Sequence, residues 1–189
     1  MAPNHWELIT TKIELVCRIF RLRSDRSKSP RTGRSYDFYV LEAVPWVNII
    51  PITDMGEIVL IRQFRHGIRE NTLEIPGGMV DEGYSPEEAA VKELLEETGY
   101  EARDIVPLGW VHPNPAILDN RCYTFLAKGA APSGKQSLDE KEDIEVVLRP
   151  ASEIPQMIAR GEISHALVIC ALHKYLAMGS KAQGKGRKA

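Results

Sequence analysis

Residues 77–100 read GGMVDEGYSPEEAAVKELLEETGY, and the fold and function of the chain are best approached from this stretch. Seven of these residues are acidic and one is basic, although the whole chain has a formal net charge of only −2. Ser85 and Glu88 form the Ser-x-x-Glu pattern of a capping box, and Pro86 suits the first helical position. Gly99 suits a left-handed helix end. The sequence therefore predicts a helix between Ser85 and Gly99.

Three carboxylates of this helix, those of Glu93, Glu96 and Glu97, share one side because they are three and four residues apart. One alternative is a solvated acidic face, on which the Glu93–Glu97 repulsion costs ~0.2–0.5 kcal/mol. If the carboxylates line a cleft, two charges ~4 Å apart repel by about 4 kcal/mol at an effective dielectric constant of 20. A divalent cation relieves that repulsion, and an all-oxygen ligand set suits Mg²⁺ or Mn²⁺ rather than structural zinc.

The spacing within this stretch resembles the Nudix box, G-x5-E-x7-R-E-U-x-E-E-x-G-U, where U is aliphatic or aromatic. The matching residues are Gly78, Glu93, Leu94, Glu96, Glu97, Gly99 and Tyr100. Two positions depart from the pattern, since Tyr84 stands in place of the box Glu and Lys92 in place of the box Arg. We hypothesise a coupled replacement in which Tyr84 supports Lys92, so that the metal ligands stay in place.

The resemblance implies a metal centre that holds Mg²⁺, or Mn²⁺, against a diphosphate. Glu93 and Glu97 would be inner ligands, and Glu96 would bind a metal or a metal-bound water. The backbone carbonyl of Gly77 would complete the shell. The reaction implied is displacement at phosphorus, in which positioning and electrostatics supply most of the rate.

Two upstream motifs resemble those of the ADP-ribose and nucleoside diphosphate sugar pyrophosphatases within the family: QFR at 63–65 and LEIPGG at 73–78. The resemblance implies that Arg65 contacts a phosphate, for which its planar fork is suited. It also implies that Glu74 faces the site, near the metals or the terminal sugar.

Each substrate contact has an ordinary structural alternative. The alternative for Arg65 is an ordinary charged residue on the surface of a strand. The alternative for Glu74 is a surface ion pair with Arg62 or Arg69. Trp46, just before the first core strand, is placed to stack on a nucleobase or simply to pack in the core.

Two further candidates lie in polar segments. Arg121 belongs to HPNPAILDNRCYTFLAKG, which resembles the loop after the box in this subgroup but is also compatible with ordinary turn chemistry. Glu142, in EDIEV, is the candidate general base, unless it simply belongs to a charged solvent loop. Glu96, nearer the metals, is the rival base.

The order of elements predicts an α/β fold. The expected domains are an N-terminal strand and hairpin over 1–42 with a basic loop at 23–35, a Nudix domain over 43–178 and a basic disordered tail over 179–189. Strands, one helix, more strands and then two helices suggest an α/β/α sandwich around a mixed sheet. The strands are expected near 11–22, 36–44, 47–53, 57–65, 73–76, 105–111, 121–127 and 144–148, and the last helices near 152–160 and 164–177.

Composition narrows the class of protein. The near-neutral charge argues against a nucleic-acid binder or a membrane-surface protein. The absence of an apolar N-terminal run and three widely separated cysteines, Cys17, Cys122 and Cys170, favour a cytoplasmic protein with reduced thiols. GAAPSGKQ at 129–136 nearly forms a phosphate-binding P-loop, but Gln136 occupies the place of the metal-binding hydroxyl.

The resemblance predicts Mg²⁺-dependent hydrolysis of a nucleoside diphosphate sugar, with ADP-ribose first among the candidates. The products would be a nucleoside monophosphate and a sugar phosphate. The alternatives are another Nudix substrate, such as GDP-mannose, a dinucleoside polyphosphate or a nucleoside triphosphate, and a Nudix-fold sensor that binds ADP-ribose without cleaving it. We also expect a homodimer, because N-terminal strands exchange between subunits in related enzymes.

Overall fold

A computed structural model describes residues 5–184, with side chains through Met178. The chain divides into two units, one formed by Met1–Pro45 with His112–Arg121 and the other by Trp46–Val111 with Cys122–Ala189. The strands are β1 (Glu7–Val16), β2 (Arg21–Lys28), β3 (Ser35–Glu42), β4 (Trp46–Ile52), β5 (Glu57–Arg65), β6 (Glu70–Glu74), β7 (Tyr100–Glu101), β8 (Asp104–Val111), β9 (Cys122–Lys128), β10 (Ala131–Pro132) and β11 (Ile144–Pro150). The helices are α1 (Pro86–Thr98), α2 (Ile154–Ala159) and α3 (Ala166–Gly184).

The first unit contains a three-stranded antiparallel sheet in the order β1-β2-β3, not a single hairpin. β2 runs through the first half of the predicted basic loop, so that part of the sequence interpretation was wrong. The polar side chains of β2 are accommodated because they pair across the sheet, as in the Arg23–Glu42 bond of 2.7 Å and the Thr11–Asp25 bond of 2.8 Å. Tertiary pairing has overridden the weak strand propensity of this segment.

The second unit is built on a mixed sheet in the order β11-β5-β4-β9-β8, with β6 paired to β5. β4 and β9 are parallel and the other pairs in this sheet are antiparallel. The six core strands predicted from the sequence, near 47–53, 57–65, 73–76, 105–111, 121–127 and 144–148, are present here. The predicted α/β class with a mixed sheet is thus confirmed.

Alternating side chains along β4 divide the core of this unit into two layers. Val47 and Ile49 pack with Ala90 and Leu94 of α1 on one face of the sheet. Ile50 packs in a second cluster with residues of α2 and α3 on the other face. The helices therefore cover both faces, as predicted.

Helix α1 begins and ends at the predicted residues. Ser85 Oγ accepts from the Glu88 N–H at 3.2 Å, and Glu88 Oε2 accepts from the Ser85 N–H at 2.8 Å, which completes the capping box. Gly99 adopts the left-handed conformation, with φ of 70°. These two ends fix the register of the acidic side chains between them.

Helix α3 continues to Gly184, through the first half of the predicted tail. The remainder of that tail, 185–189, lies outside the described residues. Within the described part of the chain, no helix is long and apolar enough to cross a membrane.

Candidate active site

Glu97 is the most deeply buried of the three α1 glutamates, with 3% of its surface exposed. Its Oε2 accepts a hydrogen bond from the Gly77 N–H at 2.8 Å. Burial raises the pKa of Glu97 to about 8, and neither this hydrogen bond nor the charge of Arg65 offsets that effect. The charges of Glu93 and Glu142 contribute to this increase in the pKa, after burial. A nearby cation would stabilise the charged form of a carboxyl group whose pKa is raised in this way.

Gly77 lies in a segment that bonds both to β4 and to α1. Val47 and Gly78 exchange backbone hydrogen bonds of 2.9 and 3.1 Å, and the Ile49 N–H donates to the Pro76 carbonyl at 2.9 Å. The Gly77 N–H bonds Glu97, so the backbone of Gly77 lies beside one of the predicted metal ligands, and the ligand role of its carbonyl stays a prediction.

Glu93 packs directly against Gly78. A Cβ atom at Gly78 would overlap the Glu93 carboxylate, so glycine leaves room for that side chain. Burial raises the pKa of Glu93 to about 7 despite the opposing charge of Lys92, and the charges of Glu142, Glu96 and Asp81 contribute in the same direction as burial. The half-buried Glu93 and the buried Glu97 thus form a pair of mutually repelling carboxyl groups.

Gly78→Ala is expected to spare the fold and displace the Glu93 carboxylate, because the overlap involves the mobile end of a side chain. We expect divalent-cation affinity to fall about tenfold, as measured by calorimetric titration with Mg²⁺. Gly77→Ala is the contrasting variant, since its Cβ would meet the backbone oxygen of Val47. It should lower the free energy of unfolding by roughly 1–3 kcal/mol. Equal cation affinity in Gly78→Ala and the unmodified protein would contradict this assignment.

Lys92 pairs with Glu96 and with Asp81. Its Nζ lies 3.1 Å from Glu96 Oε2 and 3.6 Å from Asp81 Oδ2. No hydrogen bond, ion pair or ring contact joins Tyr84 to Lys92 among residues 5–184. Asp81 therefore makes the contact that we expected of Tyr84, and the coupled-replacement hypothesis has no contact to support it in this structure.

No group of three or more His, Cys, Asp or Glu side chains within the described residues is arranged to hold a metal ion. Glu97 bonds to Gly77, and Glu96 pairs with Lys92. The donor set nevertheless fits a hard divalent cation, because the half-buried Glu93 and the buried Glu97 supply carboxylate oxygens whose charges no neighbouring cation fully compensates. Nudix hydrolases generally use divalent metal ions.

The metal-free protein is expected to lose stability as the pH rises from about 4.5 to about 8. Over this window the folded state retains protons on Glu93 and Glu97 that the unfolded chain, with carboxyl pKa values near 4.5, has already released. Thermal unfolding in a chelator at pH 5.5 and pH 8 measures the effect, and Glu97→Gln should reduce it. An unchanged pH dependence in Glu97→Gln would contradict the raised pKa.

A second polar cluster surrounds Glu74, which is 1% exposed. Arg65 donates from Nε and Nη2 to the two Glu74 oxygens, each at 2.7 Å. Thr72 Oγ1 donates to Oε1 at 2.6 Å, and His165 Nδ1 lies 2.7 Å from Oε2. Burial would raise the pKa of Glu74, but the hydrogen bonds from Arg65, His165 and Thr72 hold it well below its usual range. Glu74 therefore pairs with Arg65 and fixes the direction of its guanidinium plane.

Arg65→Met is expected to lower the free energy of unfolding by about 3 kcal/mol, because it leaves the Glu74 carboxylate buried without its bidentate partner. Adding Glu74→Gln should restore most of the loss by removing the buried charge. Urea unfolding measures both. The control is Arg62→Met on the same strand, where the exposed pair with Glu145 should contribute less than about 1 kcal/mol. Equal losses in Arg62→Met and Arg65→Met would contradict the assignment.

A cavity of about 600 Å³ in the second unit contains the Glu74 cluster and is bounded by Gly77 and Gly78, whereas Glu93, Glu96 and Glu97 do not line it. It is lined by Trp46, Arg65, Glu74, Gly77 and Gly78 among the residues singled out from the sequence. Apolar walls with a few polar groups are typical of small-molecule sites. Asn48 also lines the cavity, and its buried Oδ1 has no hydrogen-bond partner among the described residues.

Two further residues that the sequence predicted for the site, Glu142 and Arg121, are exposed. Glu142 is exposed on the loop before β11, where its Oε2 accepts from the Asp139 N–H at 3.0 Å, and its charge reaches both Glu93 and Glu97. Arg121 is exposed and belongs to the first unit, whereas the residues that line the cavity belong to the second, and its role stays a prediction.

Sequence reasoning missed two residues that contact the predicted site residues. No motif in the sequence singles out His165, yet it bonds Glu74 and lines the cavity. Gln136 was considered only for a rejected P-loop, yet its Nε2 donates to the backbone carbonyl of Glu97 at 2.6 Å. Both contacts join segments distant in sequence, and no short motif signals them.

Comparison with known proteins places these observations in a family. The NUDIX domain model matches residues 43–172. The chain is 30% identical over 140 residues to an ADP-ribose pyrophosphatase of Bacillus subtilis, covering 74% of this chain and 75% of the relative. It is 29% identical over 171 residues to an ADP-ribose pyrophosphatase of Mycobacterium tuberculosis, covering 89% and 82%. The solved structure of an ADP compounds hydrolase superposes with a TM-score of 0.82 at 23% identity over all of both chains.

The match covers more than half of the chain and includes the whole stretch from Gly77 to Tyr100. The solved structure shows the same fold. The chain therefore belongs to the Nudix family and is a Nudix hydrolase.

Proposed function

We propose that this chain hydrolyses the diphosphate bond of a nucleoside diphosphate sugar, with ADP-ribose as the first candidate substrate. The products are a nucleoside monophosphate and a sugar phosphate. The observation that carries the proposal is that Glu97 bonds the backbone of Gly77 and Glu93 packs against Gly78, and both glycines line a cavity that also holds Arg65 and Glu74. The similarity to two ADP-ribose pyrophosphatases supports the choice of substrate.

Glu93, Glu97 and the Gly77 carbonyl are the groups that would hold Mg²⁺, with Mn²⁺ as a substitute, and Glu96 would assist them. When bound, a divalent cation neutralises phosphate charge and favours the ionisation of water. Burial of Glu93 and Glu97 makes their charged forms costly without such a partner, so cation binding and ionisation of these groups favour one another.

Arg65 binds a phosphate oxygen of the substrate in this proposal. Two of its five guanidinium N–H groups are engaged by Glu74, which leaves three for a ligand. Because Glu74 is fixed in turn by Thr72 and His165, the guanidinium is oriented before substrate arrives. A guanidinium group that is already held in position stabilises the transition state more than a mobile one does. Trp46, at one wall of the cavity, contacts the nucleobase or the sugar.

Glu142 takes the proton from the attacking water. It is exposed on the loop before β11, and its charge is felt by Glu93 and Glu97. A general base must come within hydrogen-bond reach of the water, and apo geometry is often longer than the working distance. Glu96 is the rival, and the two are distinguished by the variants described in the Discussion.

A homodimer and a cytoplasmic location belong to the same proposal. All ten residues of β1 are exposed, and the apolar side chains of Leu8, Leu15 and Val16 are each more than half exposed. An apolar edge strand of this kind favours pairing with a second copy. Sedimentation equilibrium should give twice the chain mass of 21.2 kDa, and a monomer at micromolar concentration would contradict this part.

A substrate panel with identified products tests the function. ADP-ribose, GDP-mannose, a dinucleoside polyphosphate and a nucleoside triphosphate are each incubated with enzyme and Mg²⁺. We expect ADP-ribose to have a kcat/KM at least about tenfold above the others and to yield AMP and ribose phosphate. A higher kcat/KM for another nucleotide would contradict ADP-ribose as the substrate but would still support a hydrolase.

Tyr84 and Lys92 replace the Glu and Arg of the Nudix box. This replacement favours a second candidate function, that of a sensor that binds ADP-ribose without cleaving it. Calorimetric binding of ADP-ribose without any product would favour the sensor. Retention of Glu93, Glu96 and Glu97 favours the enzyme.

A further inference from the structure

The loop formed by residues 133–143 is docked on the C-terminal end of α1. A helix leaves its last carbonyl groups without partners inside the helix. The Ser137 N–H donates to the Glu96 carbonyl at 2.9 Å, and the N–H groups of Ser133 and Gly134 donate to the Gly99 carbonyl at 2.9 and 3.1 Å. The loop thus satisfies the end of the helix that carries two of the proposed metal ligands.

Gln136 closes the base of this loop. Its Nε2 donates to the Glu97 carbonyl at 2.6 Å and to the Ile144 carbonyl at 3.1 Å. Ile144 is the first residue of β11, so one side-chain amide joins the end of α1 to the start of a core strand. The seven residues between Gln136 and Ile144 include Glu142.

We propose that Gln136 is a positioning residue that holds the Glu142 loop against the glutamates of α1. The inference rests on the proposed function, because it assigns Gln136 a role in placing the proposed general base. Both carbonyl partners belong to rigid elements, so the amide fixes the two ends of the loop at a set distance. Loss of the amide frees the loop and lets Glu142 spend less time near Glu93 and Glu97.

Gln136→Met is the informative variant, because methionine has a similar size and no N–H donor. We expect kcat to fall about tenfold while KM changes less than about twofold, since the displaced group acts on the reaction and not on substrate binding. In a Glu142→Gln background, Gln136→Met should change kcat by less than about twofold further, because the group it positions is already lost.

Loop cleavage gives a readout that does not depend on activity. Trypsin cuts after Lys141, and mass spectrometry identifies the site. We expect cleavage there to be about five- to tenfold faster in Gln136→Met, as the loss of two hydrogen bonds to the carbonyls predicts. Gln156→Met is the matched control: Gln156 lies on α2, where its Oε1 is 3.5 Å from Arg160, and its replacement should alter neither kcat nor cleavage.

The outcomes separate the two proposals. Unchanged cleavage after Lys141 in Gln136→Met overturns the role of Gln136 in holding the loop. Accelerated cleavage with a tenfold kcat loss that persists in the Glu142→Gln background overturns its action through Glu142. If the unmodified enzyme hydrolyses none of the substrate panel, the proposed function fails by itself, together with the positioning role in catalysis. The cleavage rates then decide only whether the amide holds the loop.

Discussion

Glu97→Gln is expected to lower kcat by roughly 10³-fold while the fold stays intact. Glutamine has the same shape and retains an acceptor for the Gly77 N–H, so the 2.8 Å hydrogen bond survives. It has no charge with which to hold a divalent cation. The several kcal/mol of transition-state stabilisation that such a cation supplies would be lost, and each 1.36 kcal/mol is a factor of ten in rate. Steady-state hydrolysis of ADP-ribose in saturating Mg²⁺ measures the loss.

The matched control for Glu97→Gln is Glu87→Gln, the same chemical change in the first turn of α1. Glu87 is exposed, so its replacement should leave kcat within about twofold. In chelator, Glu97→Gln should unfold at the same temperature as the unmodified protein or higher at pH 8, because it removes a buried charge. Comparable kcat values for the two variants would remove Glu97 from the metal centre.

Glu142→Gln is expected to lower kcat by about 10²- to 10⁴-fold, the range typical of a lost general base. Affinity for Mg²⁺ and KM for ADP-ribose should change little, since Glu142 binds neither in the proposal. Calorimetry and steady-state kinetics separate these quantities.

Two further variants decide between the rival bases. Glu140→Gln, on the same exposed loop, should keep kcat within about twofold. Glu96→Gln should weaken cation binding more than Glu142→Gln does, because Glu96 belongs to the metal-binding face of α1. A near-normal kcat in Glu142→Gln, together with a large kcat loss and normal cation affinity in Glu96→Gln, would make Glu96 the base.

The α1 region could be predicted from the sequence because its signals are local. The capping box at Ser85 and Glu88, the glycine at Gly99 and the spacing of the glutamates all act within four residues or a few helical turns. The sequence likewise predicted a strand over 47–53, which β4 (Trp46–Ile52) confirms.

The first unit shows where local reasoning failed. β2 contains Arg, Ser, Asp and Lys, a composition typical of a loop. It is a strand because β1 and β3 pair with both of its edges and supply ionic partners for its side chains. Strand propensity depends on such neighbours, and the residues of β2 do not identify them.

The Glu74 cluster shows a different limit. The sequence motif singled out Arg65 and Glu74, but it did not show that they bond to each other or that His165, 91 residues further along, joins them. Gln136 is a similar case, since its role depends on carbonyl groups that every residue possesses. Partners of this kind are defined by the fold, and a motif search has no signal for them.

Identification of the products of ADP-ribose hydrolysis tests the central claim most directly. The unmodified enzyme and Glu97→Gln are incubated with ADP-ribose, with Mg²⁺ or with chelator, and the products are separated by chromatography. We predict equal amounts of AMP and ribose phosphate from the unmodified enzyme with Mg²⁺, and almost none in chelator or from Glu97→Gln. Cleavage that proceeds equally in chelator, or equally in Glu97→Gln, would contradict the metal-dependent site built on α1.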